Sequence, residues 1–365
     1  MLRPDGDFVG FTNLGGALGG GTIFDVDIFG NLTVLYNFQR PQGIYQPLTV
    51  GADGQFYGIA QSFANCGAVI TYANGVTGNP IQSLYSFTGN GPCQPTALVV
   101  GTDGNFYGTT YFTTSRGGVG CGTFFKLTLN GNFTLLHTFD IREGCTPASL
   151  TLGNDGNFYG TSTLNNGIFK VTPGGNVTVL QTLNRNEGWF IVPGLTEGND
   201  GNFYGAATAG GNSGNRLCLG LGCGTLFQIT PAGNFTVIHN FDFTTGGLPL
   251  TPPVQHTNGL FYGDANGGPD WQDLGGVFYS LNDNLAPFVA LTPYAASTGT
   301  PIEILGQGFT SSSTVSFNGT PATSVQLSSS TRLAVSVPSG ATTGFVTVTT
   351  STGTLTSNQP FVVIP

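Results

Sequence analysis

Asp103-Gly104-Asn105-Phe106-Tyr107-Gly108 decides the fold, because the chain carries this phrase six times. It recurs unchanged from Asp155 and Asp200, as Asp-Gly-Gln-Phe-Tyr-Gly from Asp53, as Asp-Gly-Asp-Phe-Val-Gly from Asp5 and as Asn-Gly-Leu-Phe-Tyr-Gly from Asn258. Successive copies start 45 to 58 residues apart, the length of one blade or coil of a repeat protein. Around the third copy, Ala97-Leu98-Val99-Val100 is an apolar run, and the Asp-Gly that follows suits the positive φ angles of a two-residue hairpin. Asn105 to Thr110 reads as a second strand and Thr123 to Thr128 as a third, ending at the Asn130-Gly131 turn; Phe133 to Phe139 reads as a fourth. No segment has the 3.6-residue apolar period of an amphipathic helix. Four antiparallel strands, repeated six times, predict a six-bladed β-propeller. A β-solenoid is the alternative, but its coils are usually shorter and lack such hairpins.

Composition narrows the function classes. Only 7% of the 365 residues are charged, yet 39% are hydrophobic and 12% aromatic, so the chain has the apolar content for a core and is not a disordered polyampholyte. A net charge of −9 argues against nucleic acid or an anionic membrane surface as partner. No apolar run reaches membrane-spanning length, so no membrane insertion is expected. Leu2-Arg3-Pro4-Asp5 leads straight into the first copy, and a secretion leader is expected to lie outside this numbering.

The repeat orders the six cysteines. Cys66 and Cys121 share one repeat position, before a Gly and an apolar strand; Cys93 and Cys145 share another, ahead of Thr-Ala-Leu and Pro-Ala-Ser-Leu. This predicts Cys66–Cys93 and Cys121–Cys145, each tying strand ends within one blade, and leaves Cys218–Cys223 as a small loop. A metal site is the competing reading, without the short Cys-x-x-Cys spacing that zinc sites use. Three disulfides imply an oxidising compartment, extracellular or at the cell surface.

Few residues invite chemistry. The phenylalanine and tyrosine of each copy read as wedges between sheets, with the glycine letting backbones approach. The Asp or Asn of each copy reads as a turn former; one carboxylate per turn is a poor match for calcium. His137 and His239 sit where other repeats have Tyr36, Tyr85 and Gln181, and His256 precedes the last Asn-Gly turn. His137 and His239 read as structural, and His256 has no acidic residue adjacent in sequence. Asp25 with Asp27, and Asp270 with Asp273, read as edge-strand or loop groups. No catalytic residue, cofactor or metal ligand is therefore expected, and the chain reads as no enzyme. Asn31, Asn132, Asn176, Asn234 and Asn318 each begin an Asn-x-Thr triplet; turn chemistry explains them, and N-glycosylation is the sharper alternative.

The first copy lacks the apolar strand that precedes the others, so one strand is missing at the ring's seam. A removed N-terminal segment and a neighbouring molecule are the two expected sources, since an unpaired edge is a template for another strand.

The phrases Asp103-Gly-Asn-Phe-Tyr-Gly-Thr-Thr110, Gly122-Thr-Phe-Phe-Lys-Leu-Thr128 and Phe133-Thr-Leu-Leu-His137 resemble the GloVer tandem repeat of choice-of-anchor bacterial proteins, over residues 3–281. The resemblance implies an extracellular or surface-attached protein and no chemistry. Composition shifts near Pro287 toward Ser and Thr. The runs Ile304-Leu-Gly-Gln-Gly-Phe309, Val315-Ser-Phe-Asn-Gly319 and Val335-Ser-Val-Pro338 are similar to the IPT/TIG family, which implies an Ig-like sandwich.

The expected organisation is thus an all-β chain, with a six-repeat propeller over 1–285 and an Ig-like domain over 286–365. The expected function is a non-enzymatic extracellular structural or adhesive surface protein, self-associating into an oligomer or a filament with strand or domain exchange. The alternative is a carbohydrate-binding or carbohydrate-cleaving propeller using Trp189, Trp271 and loop tyrosines, with glycans or cell-surface polymers as partners.

Overall fold

Short β-branched and aromatic runs punctuated by Gly, Asn and Asp can only make strands and turns, and strands are what the chain forms. The computed structural model describes residues 8–27, 29–39, 46, 48–51, 53–62, 65–72, 80–88, 91–112, 120–211, 218, 220–244, 246–267 and 275–364. Asp5, Asp270, Trp271 and Asp273 lie outside them.

In the repeat region, successive strands pair antiparallel in chain order. The third sheet, Cys93–Val100, Phe106–Phe112, Thr123–Leu127 and Phe133–Thr138, shows the complete pattern. The second and fourth sheets match it. In the fifth the first strand is split into Trp189–Ile191 and Thr196–Glu197, both against Phe203–Ala209. Among the described residues the first sheet has Phe8–Thr12, Gly19–Val26 and Leu32–Gln39, with no counterpart of the first strand. Among the described residues the sixth has no fourth: after Val277–Leu281 the chain turns away through Pro287, whose missing N–H cannot join a ladder.

The repeated phrase makes a three-residue loop, not the two-residue hairpin its Asp-Gly suggests. Gly101 N–H donates to Asn105 O, Gly104 N–H donates to Gly101 O, and of this loop only Gly104 has positive φ, at 75°. That is a turn followed by one left-handed glycine. Asp103 stays in the ordinary region because its Oδ1 accepts the N–H of Asn105 at 3.1 Å. The glycine that ends the phrase also has a different reason from the expected one. Gly108 stands opposite Phe125, and the Phe125 ring occupies the space a Cβ would need.

One apolar cluster fills each gap between consecutive sheets, from the first to the sixth. Burying each large side chain there stabilises by about 1.5–3 kcal/mol. Cys66 is bonded to Cys93, Cys121 to Cys145 and Cys218 to Cys223. The first two bridges do not lie within one blade, as the sequence reading held. Cys66 belongs to the second sheet and Cys93 opens the third, while Cys121 precedes the third strand of the third sheet and Cys145 leads into the fourth. The reason is that the apolar run before each Asp-Gly belongs to the next sheet. Each bridge therefore staples neighbours.

Beyond the repeats, two four-stranded sheets and a parallel pair enclose a separate core that includes Ile304, Phe317, Leu333, Val346 and Phe361. This unit meets the repeats through backbone and amide groups. Phe288 N–H donates to Thr257 O at 3.0 Å, Gln307 Nε2 to Thr257 Oγ1 at 2.9 Å and Asn154 Nδ2 to Asn358 O at 3.0 Å.

Candidate functional site

Ionisable groups concentrate at the loops of the repeated phrase, where the first and second strands meet. Asp103 Oδ2 accepts from Tyr107 Oη at 3.1 Å, Asn105 Nδ2 at 2.9 Å and Lys126 Nζ at 2.7 Å. Asp155 repeats this with Tyr159 at 2.8 Å, Asn157 at 2.8 Å and Lys170 at 3.0 Å. Each ammonium also lies over the tyrosine ring, 5.5 Å and 5.4 Å from its centroid. Burial alone would push these carboxyls up, but the Lys, Asn and Tyr donors outweigh it and hold both at about 2. Desolvation and the adjacent carboxylate in turn push Tyr57 up to about 12 and raise Tyr107. An acid that saturated is a strut between strands, with no lone pair directed at a substrate.

Glu197 is the acid that sequence reasoning missed. It stands where the other sheets have Val50, Val100, Leu152 and Gln255, and its two carboxylate oxygens accept the Asn154 N–H at 3.0 Å and 3.1 Å. Burial pushes it up to about 7 against that hydrogen bond, with Asp155 and Asp200 adding repulsion. The next sheet makes the same contact with Gln255 Oε1, which accepts Asn199 N–H at 2.9 Å. Only the charge sets Glu197 apart in sequence, in a place otherwise taken by apolar residues or Gln.

The histidines lie apart from one another along the chain. His137 Nε2 is 2.7 Å from Glu143 Oε2, and Gln181 donates to Glu187 in the same way at 3.0 Å. His137 and His239 sit edge-on to Phe139 and Phe241, as Tyr36 and Tyr85 do to Phe38 and Phe87. Burial lowers His239. His256 Nδ1 accepts the N–H of Asn258 at 3.3 Å. Asp27 accepts from Phe29 N–H and from Asn31, whose Nδ2 is 2.7 Å away. Asn132, Asn176 and Asn234 are exposed on the equivalent turns, and Asn318 is held by Thr342 and Thr343 in another domain. Among the described residues no three His, Cys, Asp or Glu side chains are gathered as a metal would need. Among the described residues there is no helix long and apolar enough to cross a membrane.

One contact recurs at the four junctions from the second sheet to the sixth. The tyrosine of one phrase packs on the phenylalanine of the next: Tyr57 on Phe106 at 4.4 Å, Tyr107 on Phe158 at 4.6 Å, Tyr159 on Phe203 at 3.8 Å and Tyr204 on Phe261 at 4.1 Å. The phrase is therefore an inter-sheet joint. The Gloeobacter/Verrucomicrobia repeat model matches residues 1–215 and 111–325. The chain belongs to this repeat family. An IPT/TIG domain matches residues 288–363. Curated proteins yield no match. Among solved structures, a catalytically inactive virginiamycin B lyase from Staphylococcus aureus with quinupristin is similar, at 14% identity over 84% of this chain and 90% of that one, TM-score 0.51. A calcium-binding protein, regucalcin, from Agrobacterium tumefaciens is 16% identical over 73% of this chain and 85% of that one, TM-score 0.45. The repeat part of this family member is a β-propeller-type array and its tail an Ig-like sandwich.

Proposed function

We propose that this repeat protein is a non-enzymatic extracellular surface protein, structural or adhesive, which self-associates into filaments by strand or domain exchange between copies. Residues 1–285 serve as a rigid array and 286–365 as a spacer. One observation carries the reading: the ionisable side chains of the repeated phrases are engaged in joining strands, as at Asp103 and Asp155. Disulfide staples between sheets support an oxidising location, and the repeat and TIG modules fit a surface protein. Within this reading Asn31, Asn132, Asn176, Asn234 and Asn318 are candidate glycan carriers in a glycosylating host; an unchanged intact mass after deglycosylation removes them. Antibody labelling of intact cells tests the location. Surface signal that protease treatment removes is expected, and signal only after lysis overturns the reading.

A carbohydrate-binding reading is favoured by one place. Phe190 is 62% exposed beside the half-buried Trp189, and the Arg185 guanidinium lies 5.4 Å from the Trp189 ring centroid. Glycan-array binding that Trp189→Ala abolishes would support it.

A further inference from the structure

The junction between the third and fourth sheets shows what a complete joint contains. On the forward face of the third sheet, Tyr107 and Phe124 stack with centroids 5.8 Å apart at 21°. Phe158 of the next sheet packs on both, at 4.6 Å and 5.6 Å, and is fully buried. The sixth sheet carries the same pair in the same register: Tyr262 opposite Ser280 and Asp264 opposite Phe278, as Tyr107 is opposite Lys126 and Thr109 opposite Phe124. Tyr262 and Phe278 stack 5.8 Å apart at 16°. Among the described residues no third ring completes this set. Phe278 is 76% exposed, whereas its counterparts Val69, Phe124, Ile168 and Leu226 are buried.

The matching ring stands at the other end of the chain. Phe8 holds in the first copy the place of Phe158 in the fourth, and it is 51% exposed. Beside it on the backward face, Phe24 and Val26 are half-buried where Phe169 and Val171 are buried. Among the described residues no strand pairs with the outer edge of Val277–Leu281 in the sixth sheet. The two faces are the halves of a joint that the chain builds between every pair of consecutive sheets.

We propose that these halves meet between molecules: the sixth sheet of one copy receives the first sheet of a second copy, with Phe8 seated on the Tyr262–Phe278 pair. The contact is heterologous, so each copy offers both halves and the assembly propagates head to tail unless its rotation closes a ring. This rests on the self-association reading and names its interface. The face departs from its counterparts at Asp264, which stands where Thr109 and Thr161 are buried and whose carboxylate accepts a hydrogen bond from Thr251. A carboxylate at that position opposes burial of the face and weakens the contact.

Sedimentation velocity of the full chain over a range of concentrations tests the proposal, with Phe8→Asp, Phe278→Asp and Asp264→Thr as variants and thermal melts to check folding. The wild type should grow with concentration, and either Asp variant alone should stay monomeric. Mixed together, the two variants should stop at a dimer, because each keeps one intact half. Asp264→Thr should move association to about tenfold lower concentration. Association that persists in both Asp variants overturns this interface and leaves self-association standing. Wild type and Asp264→Thr that stay monomeric throughout overturn both, while cell labelling still decides the surface location separately.

Discussion

Lys126 and Lys170, the two lysines of the chain, reach the same carboxylate oxygen of the same loop in consecutive repeats. Both acids lie at about 2, below the usual carboxylate value of about 4. A depressed value means that the folded state binds fewer protons than the unfolded one, so this stabilisation is complete above pH about 4 and is lost as pH falls through about 2. Asp103→Asn with Asp155→Asn should flatten the fall in melting temperature across that window. Glu197 has the opposite sign. Its value is raised to about 7, so its contribution is fully present below pH about 4 and is lost as pH rises through 7. Glu197→Gln keeps the acceptor for Asn154, as Gln255 does for Asn199, and removes the buried charge. We expect a higher melting temperature than wild type at pH 8 and no difference at pH 4, read by calorimetry. A lower melting temperature than wild type at pH 8, with no difference at pH 4, would show that the hydrogen bond to the charged form outweighs its burial.

At the scale of elements, the disulfides turn separate sheets into a linked series. Cys66–Cys93 closes a separation of 27 residues and Cys121–Cys145 one of 24, each restricting the unfolded chain by about 3 kcal/mol on a loop-entropy basis. Replacing Cys66 and Cys93 by Ser should lower unfolding free energy by about that amount in urea titrations; a loss below about 1 kcal/mol would mean that the sheet-to-sheet core already holds the joint. The hairpins and their order were legible in the sequence because their signals are local, an Asp-Gly loop followed by a Phe-Tyr-Gly strand. The Asp–Lys contact was not. It spans 23 residues at Lys126 and 15 at Lys170, and only the register of the third strand brings the ammonium over the loop. Nor did the sequence betray the left-handed residues that open successive first strands, Gln94, Thr146, Phe190 and Leu248. None is Gly or Asn; their φ is set because N–H groups such as those of Thr146 and Leu248 must reach Cys121 O and Cys223 O in the preceding sheet. The disulfide pairs followed from repeat position, but their placement between sheets needed the strand order.

Across the whole molecule, cohesion is graded. Each repeat sheet shares an apolar cluster with its neighbour, so the array behaves as a one-dimensional series in which stability passes from joint to joint. The tail differs, because it holds its own core and its described links to the repeats include a few hydrogen bonds at Thr257 and Asn154. Single exposed hydrogen bonds contribute about 0.5–1.5 kcal/mol each, too little to couple two cores into one cooperative unit. Calorimetry of the full chain should therefore resolve two transitions, and residues 286–365 alone should reproduce one of them within a few degrees. Thr257→Ala should shift neither by more than about 2 °C, since it removes one side-chain acceptor and leaves the Phe288–Thr257 backbone bond in place. A single transition, with the isolated tail unfolded, would mean that the contact with the repeat loops is part of the tail's own fold.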